Sequence, residues 1–230
     1  DATDSSVERL HDTLKDLEPR GAGDEKAGRL IGQAWLVLAT VSGWLEAPGS
    51  AALDFFDRKV GEIEAGLRRD RTWITQDIAR GLHQFLEAAV NVRETVEVGR
   101  RKREALSRLL RSETDVGVVT RSAPGAARVR TLLGHLGFDV PVYPVSAVPK
   151  SPHTLLVACS WPGRQSMSRL ATRYASPRIE VLTYPFERPW LASFSGRWTR
   201  EWTRYARSGE EISHITGLPI PVAPAKAERV

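Results

Sequence analysis

The feature that most limits the fold of this 230-residue chain is a change of hydrophobic periodicity near Ser112. Before that point apolar residues recur at helical spacing, and no proline occurs between Pro48 and Pro124, which permits long helices. Four amphipathic helices are predicted, beginning near residues 7, 27, 50 and 72, and the last pattern can be followed to residue 110. Residues 1–111 are therefore predicted to form an α-helical bundle or insertion.

After Ser112, short β-branched runs alternate with amphipathic segments. The predicted strands are 116–120, 140–145, 154–159 and 179–184, and the predicted helices are 126–136, 168–174 and 190–206. Alternation of this kind is typical of a parallel sheet with helices on its faces. The expected fold class is α/β, with an α/β domain at 112–218 and a flexible tail at 219–230 that is rich in proline and alanine.

Charge and residue usage narrow the classes of function. The net charge of +5 favours an anionic partner such as DNA or RNA. No apolar run approaches the length of a membrane span, and a single cysteine excludes an internal disulfide, so a cytoplasmic location is expected. The five histidines do not pair at ligand spacing, so no metal site is predicted.

One motif indicates a family. Residues 180–200 read EVLTYPFERPWLASFSGRWTR, in which Gly196, Arg197 and Arg200 match a G-R-x-x-R core. This stretch resembles the last strand and final helix of the second RecA-like domain of superfamily 2 helicases, where the helix carries Q-x-x-G-R-x-x-R. Ser193 stands in place of the glutamine. Residues 116–136 and 155–167 resemble the opening strand and helix and the nucleic-acid-contacting segment of that domain, in the same order.

The resemblance implies a RecA-like fold and roles for particular residues. Arg197 and Arg200 would act like arginine fingers toward a γ-phosphate held by a neighbouring domain. Trp161 and Arg164, in the loop after the third predicted strand, would be exposed contacts for nucleic acid. The alternative is that Arg197 and Arg200 belong to a solvated helix face, which they share with Arg204 and Arg207.

The sequence contains no complete ATPase site. Residues 23–30, GDEKAGRL, imitate the spacing of a phosphate-binding loop, but Arg29 and Leu30 replace its Lys and Ser/Thr, and no strand precedes them. The chain alone is therefore expected to hold no cofactor. ATP and Mg²⁺ would require a first RecA-like domain supplied elsewhere or by a partner subunit.

The densest basic cluster is RRKR, formed by Arg100, Arg101, Lys102 and Arg103. On a helix it could lie against phosphates, or it could be a solvated face. The sequence thus leaves two hypotheses. One is a helicase-like nucleic-acid-binding module of a larger ATP-dependent remodelling protein, for example in phage defence. The other is a structural or partner-binding scaffold with a degenerate RecA-like fold.

Overall fold

The computed structural model describes residues 2–45, 50–95, 98–149, 153–172 and 178–206, with the side chains at 2–4, 50–52, 172 and 198–206 outside that description. The predicted tail at 219–230 also lies outside the described residues. The first half contains five helices: α1 (Ala2–Leu17), α2 (Glu25–Val41), α3 (Ser50–Arg69), α4 (Gln76–Glu94) and α5 (Arg100–Ser112). The prediction of a helical first half is confirmed for this part of the chain.

Local chemistry sets the helix boundaries. Asp24 caps α2 by accepting hydrogen bonds from the backbone N–H groups of Lys26 and Ala27, and Thr75 caps α4. The single long helix predicted from residue 72 is wrong, because the chain breaks between α4 and α5. Gly99 stands at that break with a φ of 77°, in the left-handed region. A Cβ at this glycine would collide with the Trp44 carbonyl, so the break also lets α5 approach the end of α2 closely.

The second half forms a four-stranded sheet. Its strands are β1 (Val116–Thr120), β2 (Val142–Pro144), β3 (Leu155–Ala158) and β4 (Ile179–Val181). All pairings are parallel, and the strand order is β2-β1-β3-β4. The helices are α6 (Ala123–His135), α7 (Arg164–Thr172) and α8 (Arg188–Ala206). The predicted α/β class and parallel sheet are confirmed.

The strand order creates a switch point between β1 and β3. From β1 the chain passes through α6 to β2 on one side, and it then returns past β1 to β3 on the other side. The loops after β1 and β3 therefore leave the sheet in opposite directions and open a crevice at its carboxyl edge, which is where open α/β sheets bind ligands.

The helical half and the α/β half each contribute side chains to the other's hydrophobic core. Leu45 and Leu106 from the helical half are buried in the cluster that covers the sheet. Phe186, which follows β4, is buried in the helical core, and its ring stacks on His11 of α1 with the centroids 4.6 Å apart. Burial of apolar surface therefore crosses the boundary predicted at residues 111 and 112. No described helix is long and apolar enough to cross a membrane.

Candidate functional site

The crevice at the carboxyl edge has a volume of about 370 Å³ and lies between the sheet, α2 and α3. One wall comes from the end of β1 and the start of α6, and includes Arg121, Ser122 and Arg128. The opposite wall is apolar and includes Leu36, Trp44 and Phe55. The site thus combines a cationic wall with a flat hydrophobic wall, which suits a ligand that carries both an anion and an apolar ring.

The polar wall is organised by short hydrogen bonds. Ser122 caps α6 by accepting from the backbone N–H of Gly125 at 3.2 Å, and Thr120 Oγ1 donates to the Ser122 carbonyl at 2.9 Å. Pro124 stands in the first turn of α6, where its missing N–H costs nothing. The first turn of a helix presents backbone N–H groups and a partial positive charge, both of which favour a bound anion.

Arg121 gives the crevice a fixed cation. Its Nη1 donates to the carbonyl of Ala39 on α2 at 3.2 Å, which holds the side chain across the crevice. A guanidinium has five N–H donors, so this bond does not exhaust it. Desolvation lowers the pKa of Arg121 and the nearby Glu187 carboxylate acts in the opposite direction, but an arginine remains charged at neutral pH.

A buried ion pair lies beside the crevice. Lys102 Nζ is 2.8 Å from Glu187 Oε2, and the two side chains are 4% and 1% exposed. The same ammonium donates to the carbonyl of Ser42 at 2.8 Å and to that of Cys159 at 3.4 Å. It also lies 4.1 Å from the centroid of the Tyr184 ring. One lysine therefore joins α5 to the end of α2, to the residue after β3 and to the segment after β4.

Glu187 is satisfied on both oxygens. Oε1 accepts from the backbone N–H of Trp161 at 3.0 Å, and Oε2 accepts from that of Tyr184 at 2.7 Å. Because the carboxylate accepts hydrogen bonds and is also paired with Lys102, the free-energy cost of removing it from water is offset. This arrangement fastens the helical half over part of the carboxyl edge of the sheet.

The residues predicted from the helicase resemblance lie in different surroundings. Trp161 was expected to be an exposed contact, but it is only 9% exposed, and its ring meets that of Phe194 edge-on at 5.7 Å. The loop after β3 turns inward because Glu187 binds its backbone. Arg164 is exposed at the first residue of α7.

Arg197 is exposed on α8. It lies nine residues after the start of this helix, or about 13.5 Å along the axis. The backbone of Arg200 belongs to α8, but its side chain lies outside the described residues. Whether Arg197 and Arg200 act on a nucleotide stays a prediction.

The RRKR cluster divides into two parts. Arg100 and Arg101 are exposed and Arg103 is half-buried, while Arg100 Nε also pairs with Glu104 at 2.9 Å. Lys102 departs from the expectation of a basic face, because its ammonium is buried against Glu187. Consecutive helix positions point about 100° apart, so one member of such a run can face the interior. The structure brings Lys102 and Trp161 together through Glu187, which binds the ammonium of the first and the backbone N–H of the second.

Sequence reasoning missed Arg121, Ser122 and Glu187 as functional or organising residues. A usable signal existed for the first two, since a β-branched strand is followed by a serine cap and a proline at the start of the next helix. No local signal identifies Glu187, because its partner Lys102 is 85 residues away.

A second polar cluster lies at the opposite edge of the sheet. Asp115, with a φ of 54°, binds His153 Nδ1 at 2.9 Å, and His153 Nε2 lies 3.1 Å from the hydroxyl of Tyr143. Asp115 also accepts from the backbone N–H of Thr154, and the bond from His153 is the main reason its pKa is lowered. These bonds tie the segment before β3 to the start of β1. Within the described residues no group of three or more His, Cys, Asp or Glu side chains could hold a metal ion.

No family model, curated protein or solved structure matches this chain.

Proposed function

We propose that the chain is a helicase-like module that binds the backbone of DNA or RNA at the carboxyl edge of its sheet, as part of a larger ATP-dependent remodelling protein. The observation that carries the proposal is the crevice between β1 and β3, where Arg121, Arg128 and the start of α6 form one wall. Phosphate contacts from arginine and from helix N-termini are the usual means of holding a nucleic-acid backbone.

A RecA-like assignment of the α/β half belongs to the same proposal. It is supported by the four parallel strands and by α8, which follows β4 and carries the G-R-x-x-R core. Arg197 is exposed, as an arginine that reaches toward a nucleotide on another domain must be. ATP and Mg²⁺ would then come with a first motor domain or a partner subunit that supplies the phosphate-binding loop.

A scaffold is the second candidate, and the Lys102–Glu187 pair favours it. The pair fastens the chain's own helices over part of the edge at which a ligand or a second motor domain would be met. In that case the RecA-like remnant would serve only to hold the helical half for a protein partner.

The deciding experiment is fluorescence anisotropy with labelled single- and double-stranded oligonucleotides over a salt series. The test variant is Arg121→Ala/Arg128→Ala, and the matched control is Arg9→Ala/Arg93→Ala, which removes the same charge from exposed positions on α1 and α4. Each phosphate contact contributes about 0.9 to the slope of log K against log salt on B-DNA. We therefore expect the test variant to lower that slope by about 2 and the control to leave it nearly unchanged.

Two other outcomes would count against the crevice. Binding that survives in the test variant but is lost in Arg100→Ala/Arg101→Ala/Arg103→Ala would move the site to the outer face of α5. Absence of binding by the wild-type chain at low salt would overturn the nucleic-acid proposal and favour the scaffold.

A further inference from the structure

The segment between the end of α3 and the start of α4, called the α3–α4 corner below, carries a tryptophan whose side chain is not buried in the core. Trp73 is 69% exposed, whereas the other exposed large hydrophobic residues in the described part of the chain are between 39% and 43% exposed. The turn itself does not require the indole, since it is closed by the backbone N–H of Trp73 donating to the Asp70 carbonyl at 2.9 Å. The indole is therefore exposed to solvent over most of its surface.

One cation lies against this ring, and two more pair with the nearby Asp70. Lys26 Nζ lies 4.4 Å from the centroid of the Trp73 ring and 4.0 Å from Asp70 Oδ1. Arg29 and Arg69 also pair with Asp70, at 2.8 and 3.3 Å. The hydrogen bond from Arg69 is the main reason that the pKa of Asp70 is lowered, and Arg29 and Lys26 add to the effect. One carboxylate thus pairs with three cations, of which Lys26 lies against the indole.

The balance of charge at this corner is positive. Asp70 is 8% exposed on its side chain, while Lys26, Arg29 and Arg69 are 43%, 50% and 61% exposed. The buried carboxylate orders the cations but offers little surface of its own to an approaching ligand. Arg68 and Arg71 are exposed in the same segment. The acidic neighbours are Asp24 and Glu25, at the start of α2, and Asp77, which pairs with Arg80.

We propose that Trp73 and the cations Lys26, Arg29, Arg69 and Arg71 form a stacking platform for an unpaired base of a single-stranded nucleic acid. This inference rests on the nucleic-acid function proposed above and assigns it a second contact. Aromatic rings beside cations bind single strands because bases stack on the ring while the cations hold the adjoining phosphates. Arginine also matches phosphate with a two-pronged guanidinium.

The composition of the corner favours a nucleic acid over a membrane surface. A helix that lies in a lipid interface buries an apolar face there. Trp73 is the one exposed large hydrophobic residue that the described part of the chain places at this corner. The platform and the crevice do not share residues, and their nearest members on α2, Arg29 and Leu36, are seven positions apart, or about 10.5 Å along the axis. A strand that met both would lie along α2.

The test compares the affinity of the chain for a labelled oligothymidylate of roughly 20 nucleotides with its affinity for a duplex of equal length. This length exceeds the span of the binding surface. The variants are Trp73→Ala, Trp73→Phe and the control Leu136→Ala, which removes an exposed hydrophobic side chain elsewhere. We expect Trp73→Ala to weaken single-strand binding on the order of tenfold, Trp73→Phe to retain most of it, and duplex binding to change by less than about twofold. The salt slope should stay unchanged in Trp73→Ala and fall in Arg71→Ala.

The outcomes separate this inference from the function on which it rests. Equal single-strand affinity in wild type and Trp73→Ala, with binding still lost in Arg121→Ala/Arg128→Ala, would overturn the platform and leave the proposed function standing. Absence of binding by the wild-type chain would overturn both. A third outcome is that phosphatidylserine vesicles bind the wild-type chain but not the Trp73→Ala variant, while the two bind single strands equally well. In that case the surface is a membrane contact and the platform is wrong.

Discussion

The junction between the two halves and the α3–α4 corner both place a carboxylate among cations, with opposite results. At the junction Glu187 and Lys102 are both removed from water, 1% and 4% exposed. At the corner only Asp70 is buried, while its three cationic partners remain between 43% and 61% exposed. The first arrangement leaves no charge for a ligand, because each partner neutralises the other in the interior. The second presents ordered cations to the solvent.

The largest expected effect comes from breaking the junction. Glu187→Ala leaves Lys102 buried without its counter-ion and removes the acceptor of two backbone N–H groups, so we expect a loss of about 3–5 kcal/mol in the free energy of unfolding. Urea denaturation measures it. Replacing both partners, in Lys102→Met/Glu187→Leu, should recover only the part of the loss that comes from the unpaired ammonium, because the backbone N–H groups of Trp161 and Tyr184 still lack their acceptor. The matched control Glu180→Ala removes a partly exposed partner of Arg178 and should cost less than about 1 kcal/mol.

A loss below about 1 kcal/mol in Glu187→Ala would contradict a desolvated pair and would mean that water reaches Lys102.

The single cysteine reports on the same junction. Cys159 is 1% exposed, its carbonyl accepts from Lys102, and burial raises the pKa of its thiol to about 12 against a smaller opposing effect of Lys102. Since the thiolate is the reactive form, a disulfide reagent at pH 8 should modify the folded protein slowly. We expect Glu187→Ala to raise the modification rate by more than about tenfold, because labelling follows the population of open molecules.

Fast labelling of the wild-type thiol, at a rate near that of the urea-unfolded chain, would show instead that the two halves separate readily.

The corner should respond to pH in a predictable direction. The pKa of Asp70 is lowered in the folded state, so its carboxylate stabilises the fold at pH values above the unfolded pKa, near the ordinary value of 3.8. That stabilisation is lost as the pH falls through the folded pKa. We expect Asp70→Asn to lower the urea midpoint at pH 7 and to differ progressively less from wild type below about pH 4. A difference that grows on acidification would contradict the assigned sign.

The smallest effects are expected outside both clusters. Arg164 and Arg197 are exposed, so Arg164→Ala and Arg197→Ala should each change the free energy of unfolding by less than about 0.5 kcal/mol. Thermal unfolding followed by circular dichroism is sufficient to measure this. A loss above about 1 kcal/mol in either variant would reveal packing of that arginine.

The candidate site was only partly predictable from the sequence. The loop after the third strand was correctly placed at the carboxyl edge of the sheet, but Trp161 was expected in solvent and is buried against Phe194. The cause is the hydrogen bond between its backbone and Glu187, which comes from a distant segment. The crevice was not predicted at all, because its walls come from α2, α3 and the loop after β1, which are far apart in the sequence.

Local patterns determined the kinds of elements and their order. Helical spacing identified the bundle, β-branched runs identified the strands, and alternation with helices predicted a parallel sheet, because these signals depend on residues a few positions apart. Only the tertiary structure decided which charges face water. Lys102 and Arg101 are neighbours in one basic run, yet one is buried and the other exposed. The difference depends on Glu187, 85 residues beyond Lys102, and no local periodicity carries information across that separation.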